Sequence, residues 1–193
     1  LLTLKKNIHQ REIKTEVTQT AYRQDFMELS MQIQDCRTFD DWVAVYKRLV
    51  YWELQLQDAA DDTMRTLLAT QKEDANRDFG KFVAKNYERW LSLSPLRGEP
   101  EGGDRPVMST DVFKHSVFPA LREGEKVFLL VLDNFRYDQW LVLREELGDL
   151  FHIDESLYCS ILPTATQYAR NAIFSGLMPV QIAKMFPELW VDE

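Results

Sequence analysis

The chain changes character at one stretch, Ser94-Pro-Leu-Arg-Gly-Glu-Pro-Glu-Gly-Gly-Asp-Arg-Pro106, which holds three Gly and three Pro in thirteen residues. Before this stretch there is no Pro and a single Gly, Gly80, whereas the other thirteen Gly and Pro all follow position 94. Because Gly and Pro interrupt helices and strands, the composition predicts a linker at residues 95–106. We therefore expect two domains, at residues 1–94 and 107–193.

The composition predicts a folded protein without general affinity for nucleic acid. Of the 193 residues, 45% are hydrophobic and 12% are aromatic, which is enough to build a core. The net charge is -8, and residues 1–94 carry 14 basic against 15 acidic side chains, so the rest of the chain holds nearly all of the excess. Neutralising DNA phosphates or acidic lipids takes clustered Lys and Arg. Unspecific binding to either is therefore excluded, while nucleic acid as a substrate in a metal site is still allowed.

Cysteine usage and hydropathy favour a cytoplasmic protein. Cys36 and Cys159 stand far apart in sequence and form no CxxC motif, as expected in a reducing compartment. The longest apolar run, Val127 to Leu132, is much shorter than the roughly 18 residues that a membrane span needs. No signal-peptide pattern opens the chain. We therefore expect a cytoplasmic location without membrane insertion.

Residues 1–94 predict long helices, because helix breakers are rare there and apolar residues recur every three or four positions. A first helix is predicted to run to about Gln34. Thr38 and Asp41 have the spacing of a capping box, so a second helix is predicted to begin there. A third helix is predicted at residues 64–93. We expect the three to form an antiparallel bundle.

Residues 107–193 predict alternating strands and helices. The run Lys126-Val-Phe-Leu-Leu-Val-Leu-Asp133 is apolar up to its final acid, as central parallel strands often are. Residues 109–121 predict a short helix before this strand, residues 136–147 a helix after it, residues 151–161 a second strand and residues 167–175 a further helix. We therefore expect the N-terminal part of an α/β sheet domain. Because such sheets usually need about five strands or more, the sequence is interpreted as an internal fragment of a longer protein.

Asp133 is the first candidate for chemistry. A carboxylate at the carboxyl end of a buried parallel strand lies at the edge where open α/β sheets bind ligands. The alternative for Asp133 is a helix cap or a surface ion pair. Arg136 follows closely and could hold a phosphate, although an Arg at the start of a helix is more often solvated or paired.

The second candidate is the segment Leu162-Pro-Thr-Ala-Thr-Gln-Tyr-Ala-Arg170. A hydroxyl directly before a helix lies where free backbone amides converge and the helix dipole is positive, which favours anions and an alkoxide. Threonine needs a base or a metal before it can act as a nucleophile. The alternative is that Thr164 or Thr166 is an N-cap and nothing more.

Together, the two segments resemble the alkaline phosphatase superfamily, in the arrangement of nucleotide pyrophosphatase/phosphodiesterases and PglZ-domain proteins. In those families a strand ends in Leu-Asp-x-Phe-Arg, and a later Pro-Thr-x-Thr leads into a helix that ends in Ser/Thr-Gly-Leu-x-Pro. The counterparts here are Leu132-Asp-Asn-Phe-Arg136, Pro163-Thr-Ala-Thr166 and Ser175-Gly-Leu-Met-Pro179. The resemblance implies that Asp133 is a zinc ligand and that Thr166, rather than Thr164, is the zinc-bound nucleophile.

The resemblance is strongest to PorX-type response regulators over residues 127–193, and the helical half agrees in architecture. Such regulators carry a receiver domain, a helical bundle and a PglZ-type domain, and they act as zinc-dependent phosphodiesterases on oligonucleotides. The resemblance implies a role in type IX secretion and a sensor histidine kinase acting through a receiver domain that this sequence lacks. It further implies a homodimer of the intact protein and secretion-system or sigma-factor partners. Asn134, Arg136 and Arg170 become candidates for substrate binding.

The sequence departs from this family in its metal ligands. Two-zinc sites of the superfamily take about six further Asp and His ligands, yet after Thr166 this sequence has no His and a single Asp, Asp192. His9, His115 and His152 fall outside both motifs. We therefore expect this chain neither to bind zinc tightly nor to hydrolyse phosphodiesters. The alternative function is a non-catalytic signalling or dimerisation module with a phosphatase-like docking domain.

Overall fold

The computed structural model of the chain describes residues 20–57, 62–92 and 105–190. The chain divides into two compact units, the first made of residues 1–105 and 137–142, the second of residues 106–136 and 143–193. The linker predicted at residues 95–106 lies almost entirely outside the described residues, so its boundaries stay predictions.

Three helices make up most of the first unit: α1 at residues 20–35, α2 at Phe39–Leu56 and α3 at Asp62–Ser92. They lie where the apolar periodicity predicts helices, although the predicted beginning of the first helix lies outside the described residues. The predicted capping box is confirmed at the start of α2. Asp41 N–H donates to Thr38 Oγ1 at 3.2 Å, and Thr38 N–H donates to Asp41 Oδ2 at 2.8 Å. Hydrogen bonds from the backbone N–H groups of Arg37 and Thr38 hold the pKa of Asp41 below its usual value.

The core of the first unit combines the apolar stripes of all three helices. Its buried side chains are Tyr22, Leu29, Ile33, Cys36, Trp42, Val45, Leu49, Trp52, Leu56, Met64, Leu68 and Ala75. The ring of Trp42 lies 5.5 Å from that of Phe79 and 6.2 Å from that of Phe82, so aromatic side chains fill the space between α2 and α3. Burial raises the pKa of the Cys36 thiol to about 11, which keeps this thiol protonated near neutral pH.

The predicted α/β sheet is wrong: within the described ranges no residue belongs to a β-strand. Residues 126–133 were predicted to be a buried central strand, yet Phe128 and Leu130 are 86% and 78% exposed. Residues 151–161, the predicted second strand, contribute a single parallel bridge, between Cys159 and Met108. A strand is stabilised by a ladder of hydrogen bonds to a neighbouring strand. Neither predicted strand forms such a ladder with any described residue.

The remaining elements are helical as well. A 3-10 turn at Ser109–Asp111 and a π-helical turn at Phe113–Val117 lead into α4 at Phe118–Arg122; then follow α5 at Tyr137–Leu147, α6 at Thr166–Ser175, α7 at Pro179–Met185 and a 3-10 turn at Pro187–Leu189. α5 and α6 agree with predicted helices. α7 was not predicted, because seven residues are too few for a clear apolar period. None of the helices within the described ranges combines the length and hydrophobicity needed to cross a membrane.

Replacement of Thr38 by Ala removes the side-chain oxygen that accepts from Asp41 N–H. We expect the free energy of unfolding of the first unit to fall by about 1 kcal/mol, the usual cost of losing an N-cap. Urea unfolding followed by circular dichroism measures this change. The matched control is Thr70→Ala, because Thr70 lies exposed within α3 and bonds only to the Thr66 carbonyl of its own helix. Equal losses in the two variants would contradict the capping role.

Substitution by Ala should change the stability in opposite directions at two glycines. Gly176 ends α6 with a φ of 67°, and a Cβ there would lie 3.4 Å from the Thr110 carbonyl oxygen. Gly80 lies within α3, where an added Cβ meets nothing within 4 Å. We expect Gly176→Ala to lower the stability of the second unit by about 1 to 2 kcal/mol. Gly80→Ala should raise that of the first unit by roughly 0.5 to 1 kcal/mol. Denaturant titration checks both, and a stabilising Gly176→Ala would contradict the strained geometry.

Candidate functional site

A buried hydrogen-bonded scaffold positions the chain just before α6. Cys159 N–H donates to the Val107 carbonyl at 2.8 Å, and Ser109 N–H donates to the Cys159 carbonyl at 3.2 Å. The Ser109 side chain is fully buried, and its hydroxyl accepts from Ile161 N–H at 3.1 Å. Buried polar groups are costly to leave unpaired. These bonds therefore fix the path of residues 159–161.

The same scaffold also meets the far end of α6. The Asp111 carboxylate closes the 3-10 turn at Ser109–Asp111 by accepting a hydrogen bond from Met108 N–H at 2.8 Å. In this turn the Thr110 carbonyl lies close to Gly176. Gly176 ends α6, and its N–H donates to the Ala172 carbonyl at 3.0 Å. Ala172 is fully buried. The scaffold thus meets the C-terminal end of α6, whereas residues 162–167, which lead into the helix and begin it, are exposed.

Thr166 is the first residue of α6 and is exposed. The N-cap position belongs to Ala165, which has no side-chain oxygen, so no side chain caps this helix. The N–H groups of Tyr168 and Ala169 donate to the Ala165 carbonyl at 3.0 and 2.9 Å. Those of Thr166 and Gln167 donate to no oxygen of the described residues. Free amides and the helix dipole therefore make the surroundings of the Thr166 hydroxyl electropositive.

Asp133 lies in a tight turn that follows the apolar run. Asn134 N–H donates to Asp133 Oδ1 at 2.9 Å, and Asn134 has a φ of 55°, a left-handed conformation that Asn adopts more readily than most residues. Asp133 Oδ2 lies 3.9 Å from Arg170 Nη1 on α6, and both side chains are about half exposed. One oxygen of the Asp133 carboxylate therefore accepts from the backbone of the turn, and the other oxygen faces Arg170 on α6.

The ion pair places Asp133 beside the face of α6 that carries Thr166. Thr166 and Arg170 lie four residues apart, so they share one face of the helix and are separated by about 6 Å along its axis. The structure thus pairs Asp133 of one motif with Arg170 of the other, one helical turn from Thr166. An ion pair as exposed as this one contributes only about 0 to 1 kcal/mol. Its effect is to orient the Asp133 carboxylate more than to stabilise the fold.

Two further predicted site residues, Arg136 and Thr164, are exposed. Arg136 lies directly before α5, and Thr164 lies two residues before α6. The sequence prediction missed Ser109 and Asp111, whose buried side chains hold the scaffold. Their only sequence signal is a Ser-x-Asp spacing, which is common at the start of many helices.

The described residues supply few metal donors. No group of three or more His, Cys, Asp or Glu side chains among them could hold a metal ion. The Asp133 carboxylate and the Thr166 hydroxyl are oxygen donors, but two donors do not complete a four-coordinate zinc site. His152 lies 3.6 Å from Asp154, and both side chains are more than 90% exposed. The residues described therefore do not fit a complete zinc site.

Two domain families match the chain in sequence. Residues 12–91 match the PorX response regulator linker domain, and residues 112–193 match the BREX system PglZ alkaline phosphatase-like domain. A search of curated proteins gave no significant match. The first match contains the described parts of α1, α2 and α3, and the second contains Asp133, Thr166 and Arg170. A response regulator linker followed by a phosphatase-like domain is the organisation of a regulator with a phosphatase-like output. The chain thus joins a domain of the PorX response regulator linker family to a domain of the PglZ alkaline phosphatase-like family.

Proposed function

We propose that this chain is the linker and output part of a response regulator whose output domain hydrolyses phosphodiester bonds, with Thr166 as the nucleophile. The placement of Thr166 is the main support. Its exposed hydroxyl lies at the uncapped N-terminus of α6, one turn from the Asp133–Arg170 pair. The match of residues 112–193 to an alkaline phosphatase-like domain supports the same class of reaction.

The surroundings of Thr166 suit attack on an anionic phosphate. Free amides and the helix dipole at the start of α6 stabilise negative charge there. In the first step, Thr166 Oγ1 forms a bond to phosphorus while the bond from phosphorus to the leaving alkoxide breaks. The proton of the Thr166 hydroxyl passes to that alkoxide, which departs as an alcohol. In the second step, a water oxygen bonds to phosphorus, the bond to Thr166 breaks, and a proton from that water restores the hydroxyl. Arg170, with Arg136 and Asn134, is our candidate for holding the phosphate oxygens.

Zinc enters the proposal as an expectation from the family resemblance, in which Asp133 is a ligand and Thr166 is the activated hydroxyl. A bound zinc ion supplies charge neutralisation and lowers the pKa of a hydroxyl ligand. Because the described residues do not complete a zinc site, neither step of the proposed reaction is assigned to the metal.

The biological setting of the proposal also comes from the family resemblance. We propose oligonucleotides as the substrate and a sensor histidine kinase as the upstream partner. We further propose a homodimer, a cytoplasmic location and a role in type IX secretion through secretion-system or sigma-factor components. A net charge of -8 agrees with nucleic acid engaged at one site as a substrate, rather than along a basic surface.

Signalling without catalysis is the second candidate function. The match of residues 12–91 to a response regulator linker domain favours it. In that case the helical part passes the state of a receiver to a docking domain or to a second copy. Sedimentation of the full-length regulator with and without a phosphoryl mimic separates the two, because a switch changes association and a simple enzyme need not.

Replacement of Thr166 by Ala removes the proposed nucleophile and keeps a good helix former at the start of α6. In the full-length regulator we expect the hydrolysis rate of bis(p-nitrophenyl) phosphate to fall by at least about 100-fold. Thr164→Ala is the matched control, since Thr164 is also an exposed threonine of the same segment, and we expect its rate to stay near that of the unmodified protein. Full activity of Thr166→Ala would remove Thr166 from its role.

The 193-residue chain by itself is expected to bind zinc weakly and to be inactive. Asp133 and Thr166 give too few donors for a tight site, and no three-ligand group exists among the described residues. Isothermal titration with zinc should show no sub-micromolar site. Tight binding that disappears in Asp133→Asn would overturn this expectation.

A further inference from the structure

The first unit contains a buried polar contact between α1 and α3. Tyr22 Oη donates to Gln71 Oε1 at 3.1 Å, and Gln71 Nε2 donates to the Phe26 carbonyl at 3.1 Å and to Ser30 Oγ at 2.9 Å. Tyr22 is 0% exposed and Gln71 is 4% exposed. One side chain of α3 thus satisfies three separate groups along α1.

A second polar contact joins α1 to α2. Asp25 accepts hydrogen bonds from Arg48 Nε at 2.8 Å and from Trp52 Nε1. Burial alone would raise the pKa of Asp25, but the hydrogen bonds from Arg48 and Trp52 outweigh it and hold the pKa below its usual value. The Asp25 carboxylate is therefore charged at neutral pH, and the hydrogen bonds from Arg48 and Trp52 stabilise its charged form.

Tyr22 connects the two contacts. Its ring packs against the ring of Trp52 with the centroids 5.2 Å apart, so a continuous path runs from Gln71 through Tyr22 and Trp52 to Asp25. We call these four residues the α1 latch. Because each member positions the next, loss of a contact at one end weakens the other end.

We propose that the latch makes α1 the switchable helix of this linker domain: it holds α1 in a single register along α2 and α3, and it releases as one unit. A slide of α1 by one helical turn, about 5.4 Å, would break the contacts of Gln71 to α1 together with the bonds from Arg48 and Trp52 to Asp25. Buried polar groups left unpaired are costly, so positions between locked and released are disfavoured. The proposal rests on the linker domain match and not on the reaction of Thr166.

Hydrogen exchange of the 193-residue chain, read by mass spectrometry in peptides from each helix, tests the latch. Tyr22→Phe removes the contact to Gln71 and keeps the ring, while Asp25→Asn weakens the contact to Arg48 and Trp52. In each variant we expect exchange of amides in residues 20–35 to rise about fivefold or more, with α2 and α3 protected as before. Asp78→Asn is the control, because it removes an exposed ion pair to Lys81, 2.7 Å away on α3, and should change none of the helices.

Two outcomes would overturn the latch. An equal rise in all three helices would mean that these residues stabilise the whole unit without holding α1 in particular. Fully additive effects in the variant carrying both Tyr22→Phe and Asp25→Asn would mean that the two contacts are uncoupled. Tyr22→Phe preserves side-chain volume, so the test stands even where Asp25→Asn does not fold. The measurement contains no phosphodiester, so its result is independent of the proposed catalysis.

Discussion

The geometry of the candidate site depends on the buried Ser109 hydroxyl, which accepts from Ile161 N–H at 3.1 Å. The backbone N–H of Ser109 holds the Cys159 carbonyl, and the carbonyl of the next residue, Thr110, lies against Gly176 at the end of α6. A segment of a few residues therefore holds the chain on both sides of that helix. Thr166 begins that helix with an exposed side chain that caps nothing. Leaving the Ile161 amide unpaired would cost about 1 to 3 kcal/mol, which disfavours other paths of the chain at this point.

Buried polar groups have different structural roles in the two units. In the first unit an apolar core of three helices stabilises the fold, and the latch specifies where α1 lies within it. In the second unit the buried polar groups of Ser109 and Asp111 set the path of the backbone itself. A buried hydrogen bond adds little net stability, but it excludes arrangements that leave its partners unpaired. Both the proposed switch and the proposed site use this property.

Sequence reasoning succeeded where the signal is local. The helices of the first unit follow from apolar spacing, and the capping box follows from Thr38 and Asp41 three residues apart. The family followed from short motifs whose spacing can be read along the chain. The sheet could not be predicted reliably, because an apolar run such as residues 126–133 becomes a strand only when another strand pairs with it. The meeting of Asp133 with Arg170, and of Tyr22 with Gln71, joins residues distant in sequence, and no local pattern encodes either contact.

In the proposed reaction Thr166 carries the phosphorus of the substrate, with one ester group still attached, between the two steps. This claim is tested most directly by acid quenching the full-length regulator during turnover of a phosphodiester and mapping the modified peptide by mass spectrometry. Our account predicts an adduct on Thr166 in which phosphorus still carries one ester group of the substrate. Continued turnover with the adduct on Thr164, or with no adduct on the protein, would contradict it.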